Sequence, residues 1–120
     1  MGIFLENLYL FPRFDGESTE LRAEMGFGTI AGNTGGSTVT DTITFTTAFS
    51  ATPFIWVTNA GRSTSGTSWG DNTLTGSAGD VIASFRGPST SGFTVALRDA
   101  NSNFPNTDNY FYTWLAIGEK

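Results

Sequence analysis

The sequence predicts an all-β protein, an antiparallel β-sandwich, and three observations carry that expectation. Thr, Ser, Gly and Asn fill the space left by an apolar fraction of 38% and a charged fraction of 14%, as in a strand protein with many turns. Hydrophobicity alternates with period two in one segment after another from about residue 39. No stretch holds a helical period over eleven residues, except arguably residues 16–25.

Taken in order, "VTDTITF" places Val39, Ile43 and Phe45 on one face and Thr40, Thr42 and Thr44 on the other, the pattern of a half-buried strand. "FIWVTN", residues 54–59, is an aromatic and β-branched run that starts just after Pro53. "VIASFR" (81–86) and "GFTVALR" (92–98) alternate again and are joined by "GPSTS", whose Gly87 and Pro88 read as a hairpin turn. "YFYTWLAIG" closes the series with Tyr110, Tyr112, Trp114 and Ala116 facing one way and Phe111, Leu115 and Ile117 the other. Apolar on both parities, it reads as a strand covered by the partner sheet on one side and by neighbouring subunits on the other. "GESTELRAEM" is either a short helix capped at Ser18 or Thr19, or a strand with Leu21, Ala23, Met25 and Phe27 on one face; the strand is favoured. Residues 60–80 and 99–109 read as loops, longer than hairpins require, and long loops on a rigid scaffold often carry function.

With 120 residues, one domain is expected. A net charge of -5 with scattered basic residues argues against a nucleic-acid partner. Cys is absent, which removes disulfides and thiolate metal sites, and His is absent, which removes imidazole acid–base chemistry, Ser-His-Asp triads and His-ligated zinc. Carboxylate-pair chemistry survives, but Glu17, Glu20 and Glu24 read better as a solvated face. A non-catalytic protein without cofactor is expected. "DANSN" places Asp99, Asn101 and Asn103 at calcium-loop spacings, yet Phe104 and Tyr110 stand where that loop needs Gly and Glu, so no metal is expected.

Trp69, beside Arg62, Asp71 and Asn72 in a polar loop, could form a platform for a sugar ring or a protein partner; alternatively its indole folds over the end of the sandwich. The opening "MGIFLENLYLFPRF" has neither the basic flank nor the cleavage site of a signal peptide, and it is too short for the roughly 20 apolar residues of a membrane span. Its Ile3, Phe4, Leu5, Leu8, Tyr9, Leu10, Phe11 and Phe14 must dock on something, because each large apolar side chain gains about 1.5–3 kcal/mol on burial. Two sinks are open: the arm adds to its own assembly, or it inserts into another protein.

The landmarks Phe45-x3-Phe49-x3-Pro53, then a strand, a long loop, "TSGF" (90–93) and the ending "WLAIG" (114–118) follow one another in a recognisable order. In that order and spacing, residues 39–118 resemble the H-type lectin-like domain found in discoidin and snail agglutinins and at the C-termini of phage tail-fibre proteins. The resemblance implies a six-stranded antiparallel β-sandwich that assembles as a homotrimer, here with an extended N-terminal arm. Residues 1–38 would supply the arm and a leading strand segment, and residues 39–120 the sandwich. It also implies sugar binding between protomers, but this chain departs from that site, with Ser84 where family lectins carry Arg, Ala100 and Asn101 near their Trp-His pair, and Asn109 in place of a Tyr. Arg86, Arg98 and Tyr110 lie close enough in sequence to replace some of those contacts, and Asn101 is a further candidate ligand-binding residue. The expected role is therefore a virion surface protein of a phage, a capsid decoration or tail component made in the host cytoplasm. It would trimerise through the sandwich, with Trp114 in that assembly, and its arm would contact another virion protein. The alternative is a dedicated adhesin for a surface glycan.

Overall fold

The computed structural model describes residues 2–9, 20–32, 36–63, 81–99 and 108–120. Its strands are β1 (Gly2–Tyr9), β2 (Glu20–Ala31), β3 (Thr38–Thr44), β4 (Phe54–Ser63), β5 (Val81–Arg86), β6 (Gly92–Asp99) and β7 (Asn109–Glu119). Six of them, β2 to β7, form the two faces of an antiparallel sandwich as expected: β2-β7-β4 on one side and β3-β6-β5 on the other. The N-terminal arm adds β1 to the free side of β2, widening the first sheet to four strands.

The strand reading of residues 20–27 holds, and the pairing explains why. β2 runs antiparallel to β7 from Leu21↔Glu119 to Ala31↔Asn109. Leu21, Ala23, Met25 and Phe27 then share the outward row of the sheet, and the inward row carries Arg22, Glu24, Gly26, Gly28 and Ile30. The two glycines leave room for core aromatics. A Cβ on Gly26 would lie 2.8 Å from the Trp114 indole nitrogen, and one on Gly28 would lie 2.2 Å from the Tyr112 hydroxyl.

Glu24, on that inward row, corrects the expectation of a solvated carboxylate face, Arg22 is buried on the same row, and Glu17 lies outside the described residues. Glu24 is only 2% exposed, and its carboxylate accepts hydrogen bonds from the Thr46 backbone N–H at 3.0 and 3.2 Å and from the Thr46 hydroxyl at 3.0 Å. Arg22, equally buried, donates to the carbonyls of Thr47 and Ala48, and its guanidinium lies 3.9 Å above the Phe49 ring. A buried charge is tolerated where hydrogen bonds replace its water. Here the pair clamps the 45–50 segment across the end of the core. Glu20, at the start of β2, pairs with Lys120 at 2.8 Å.

The core lies between the sheets and follows the period-two reading closely. Val39 and Phe45 are buried, while Thr40, Thr42 and Thr44 are exposed. Phe45 meets Phe49 edge-on at 4.9 Å, and the Trp114 indole sits 5.6 Å from Phe93. Asp41 shares the inward row with Val39 and accepts a 2.5 Å hydrogen bond from the Tyr112 hydroxyl. Burial first, then that hydrogen bond and the carboxylate charge, push the Tyr112 phenol far above its ordinary range.

The loop expected over 60–80 begins later than the composition suggests. β4 continues through Ala60 to Ser63, pairing Arg62 with Tyr110 and Ser63 with Asn109 after an irregularity between Asn59 and Gly61. Gly61 takes φ 111°, a region that favours glycine, and the Asn59 side chain accepts its N–H at 3.0 Å. Polar composition hides this extension, because the bulge restores the ladder after an apparent turn. Asp99 and Asn109 likewise end β6 and begin β7 rather than belonging to a loop. The 87–91 hairpin is as expected, with Gly87 at φ 55° and the Ser89 hydroxyl accepting the Gly92 N–H at 3.2 Å.

Candidate functional site

Strand β7 sorts its apolar residues between two environments. Tyr110, Tyr112, Trp114 and Ala116 join the core, whereas Thr113, Leu115 and Ile117 stand on the outer face and are half-buried. Their cross-strand neighbours extend that outer row sideways: Leu115 lies between Met25 and Trp56, Thr113 between Phe27 and Thr58, and Ile117 between Ala23 and Phe54. Of these, Phe27 is 47% exposed, Trp56 55% and Phe54 76%, and the Phe54 and Trp56 rings stand 6.4 Å apart.

The face is grooved. One depression of about 530 Å³ is lined by Met25, Phe27, Trp56, Thr58, Thr113 and Leu115, together with Gly26 and Trp114. A second, of about 300 Å³, continues past Trp56 along Leu21, Phe54 and Ile117. Among the described residues, the larger groove is lined by no charged side chain and by two hydroxyls, those of Thr58 and Thr113. A sugar needs a set of convergent hydrogen-bonding groups, which this lining lacks. A contiguous apolar face of this kind is what one protein surface offers another.

A polar cluster lies at the opposite extreme of chemistry, where β4, β6 and β7 meet the two long connections. Arg62 and Asp108 form an ion pair of 3.0 Å. Asp108 and Asp99 are each 4% exposed, and Tyr110 is buried beside them. Burial raises the Tyr110 phenol above its ordinary value, with Asp108 and Asp99 adding to the rise and the Arg62 hydrogen bond opposing it. Backbone bonds tie the cluster down, from the Gly32 N–H to the Asp108 carbonyl at 2.8 Å and from the Asp99 N–H to the Ser37 carbonyl at 3.0 Å.

Of the residues predicted to bind a ligand, the structure therefore brings Arg62 and Tyr110 together. Arg86 and Arg98 are exposed on the outward row of the smaller sheet, where Arg86 pairs with Thr94 and Arg98 with Ile82 and Thr38, so neither reaches Tyr110. Trp69, Asp71 and Asn101 lie outside the described residues, as do Phe11 and Phe14 of the arm. Ile3, Phe4, Leu5, Leu8 and Tyr9 fall in β1, where Ile3 stands opposite Met25, Leu5 opposite Ala23 and Leu8 opposite Leu21. Trp114 is a core residue, 8% exposed, packed between Phe45 and Phe93. Sequence reasoning missed Phe27, Phe54 and Trp56 as a surface. Phe54, Trp56 and Thr58 share one parity of "FIWVT", but Ile55 and Val57 make the other parity just as apolar, so the run alone does not single out the surface row.

The sequence matches no protein-family model and no curated protein. Solved structures do match. The N-truncated R1-type pyocin tail fibre superposes with a TM-score of 0.58 at 19% identity, over 82% of this chain and 71% of that one. The tailspike of Pseudomonas phage LKA1 gives 0.60 at 22% identity, over 83% of this chain. Discoidin II of Dictyostelium discoideum gives 0.56 at 10% identity, again over 83%. The fold is thus an antiparallel β-sandwich shared with these three proteins. The chain spans only 15% of the tailspike and 38% of discoidin II, so in those proteins this sandwich is one part of a larger whole.

Proposed function

We propose that this chain is a non-catalytic structural module on the surface of a phage particle, of the tail-fibre or decoration kind. Three copies associate through the outer face of the larger sheet, and the N-terminal arm fastens each copy within the assembly. The observation that carries this reading is the row of Phe27, Phe54 and Trp56, held in water on a rigid sheet beside Leu115 and Ile117. A sandwich shared with a pyocin fibre and a phage tailspike supports the setting. Burying such a face against identical faces removes the aggregation hazard and closes the assembly. Light scattering on the purified chain is expected to return three times the chain mass at micromolar concentration; a monomer that stays soluble contradicts the proposal.

A second reading, adhesion to a surface glycan, is favoured by one feature. The Arg62–Asp108 pair anchors the strand ends from which residues 64–80 and 100–107 depart, giving those polar connections a rigid base. A glycan array probed with the native chain tests it, and the absence of any bound sugar removes it.

A further inference from the structure

We infer that β1 is an exchanged strand: in the assembly, the seat on the β2 edge is filled by the arm of a neighbouring copy of this chain. The inference rests on the proposed association of copies and names what the arm docks against.

The seat is defined by backbone pairing. β1 runs antiparallel to β2 with Gly2↔Gly26, Ile3↔Met25, Phe4↔Glu24 and Leu5↔Ala23, then shifts register before Leu8↔Leu21. A ladder of this sort is satisfied equally by a strand of the same sequence from another chain, which is why exchange of identical elements is a low-cost route to association. Chain length permits the exchange. Residues 10–19 join β1 to β2, and ten residues reach about 33–36 Å when extended. That exceeds the two shorter dimensions of the molecule, 25 and 21 Å. A hairpin between adjacent strands needs only about 2–5 connecting residues, so the pairing does not require a link of this length.

Position supplies the reason for exchange over self-pairing. The β2 residues opposite the arm, Leu21, Ala23 and Met25, belong to the row that continues into Leu115, Ile117, Trp56 and Phe54. β1 therefore borders the very face on which copies are proposed to meet, and an arm crossing there turns an intrachain ladder into an intersubunit one. The register shift also limits the result. Glu6 and Asn7 fall at the irregularity, and a bulge with a charge on an edge strand discourages a further strand from adding. Exchange then stops at a closed assembly instead of growing into a fibre.

The absence of cysteine makes the test direct. The double variant Ile3→Cys with Met25→Cys is oxidised in its assembled state and run on a denaturing, non-reducing gel. Exchange predicts covalently linked dimers and trimers that collapse to single chains on reduction. Leu5→Cys with Ala23→Cys, two residues along the same ladder, repeats the experiment should the first pair disturb folding, and light scattering reports the mass of each variant before oxidation. Trimeric mass with disulfides only within single chains overturns the exchange and leaves the proposed assembly standing. A monomeric mass overturns both.

Discussion

The two outward faces of this sandwich are built from the same strand geometry and have opposite chemistry. On the smaller sheet the outward row is Thr40 and Thr42 on β3, Thr94 and Arg98 on β6, and Ser84 and Arg86 on β5, with Ile82 its one large apolar member. On the larger sheet it is Met25, Phe27, Leu115, Ile117, Phe54 and Trp56. An antiparallel sheet commonly turns one face to water, and the smaller sheet does so. The larger sheet presents a second apolar face at comparable exposure, the face proposed above to meet other copies. The contrast separates what holds the chain together from what the chain offers to others.

The largest expected effect follows from placing a charge on the apolar face. Trp56→Glu should reduce the trimer to monomer with the strand content intact by circular dichroism, because Trp56 lies between both grooves and outside the core. Leu115→Asp, on the central strand of the same face, should do the same and may be compared with it by light scattering; a trimer from either variant removes the face from the interface. Next in size is the clamp at the end of the core. Glu24→Ala leaves the Thr46 N–H without its carboxylate, and the denaturation midpoint should fall by the equivalent of about 1–3 kcal/mol.

Tyr112→Phe should cost a similar or smaller amount, since Asp41 loses the phenol's hydrogen bond while keeping that of the Thr42 N–H, and it carries a pH signature. The folded chain holds the Tyr112 proton more tightly than the unfolded chain, whose phenol titrates near 10.0. The stabilisation is thus fully present below pH 10 and is lost as pH rises beyond it. Tyr110, raised in the same sense, adds to that alkaline loss. Thermal melts from pH 8 to about 11 should show the midpoint falling in the native chain and falling less steeply in Tyr112→Phe. The smallest effect belongs to the polar face, where Thr40→Glu should change stability by no more than about 0.5 kcal/mol and leave the mass unaltered.

Much of the fold is legible in the sequence because period-two alternation is a local signal. "VTDTITF", "GFTVALR" and "YFYTWLAIG" each show their inward residues, and the order of Phe45, Phe49, Pro53 and "WLAIG" points to the sandwich fold. Features that depend on distant partners are not legible. Glu24 reads as part of a solvated face, since the groups that bind it and the neighbouring Arg22 lie more than twenty residues away in the 45–50 segment. The bulge at Gly61 hides the end of β4 behind a polar composition. The apolar face escapes for a different reason. "FIWV" is apolar on both parities, so the run alone does not say whether Ile55 or Trp56 enters the core; pairing with β7 decides it. Among the predicted binding residues, Arg62 and Tyr110 are neighbours only because β4 continues past that bulge.

The most direct test sets one face against the other in a single measurement. Light scattering on Trp56→Glu and Thr40→Glu, at matched concentration and with matched circular dichroism, compares a charge on the larger sheet with the same charge on the smaller one. Association through the apolar face predicts a monomer for Trp56→Glu and a trimer for Thr40→Glu. Equal masses for the two variants would contradict it.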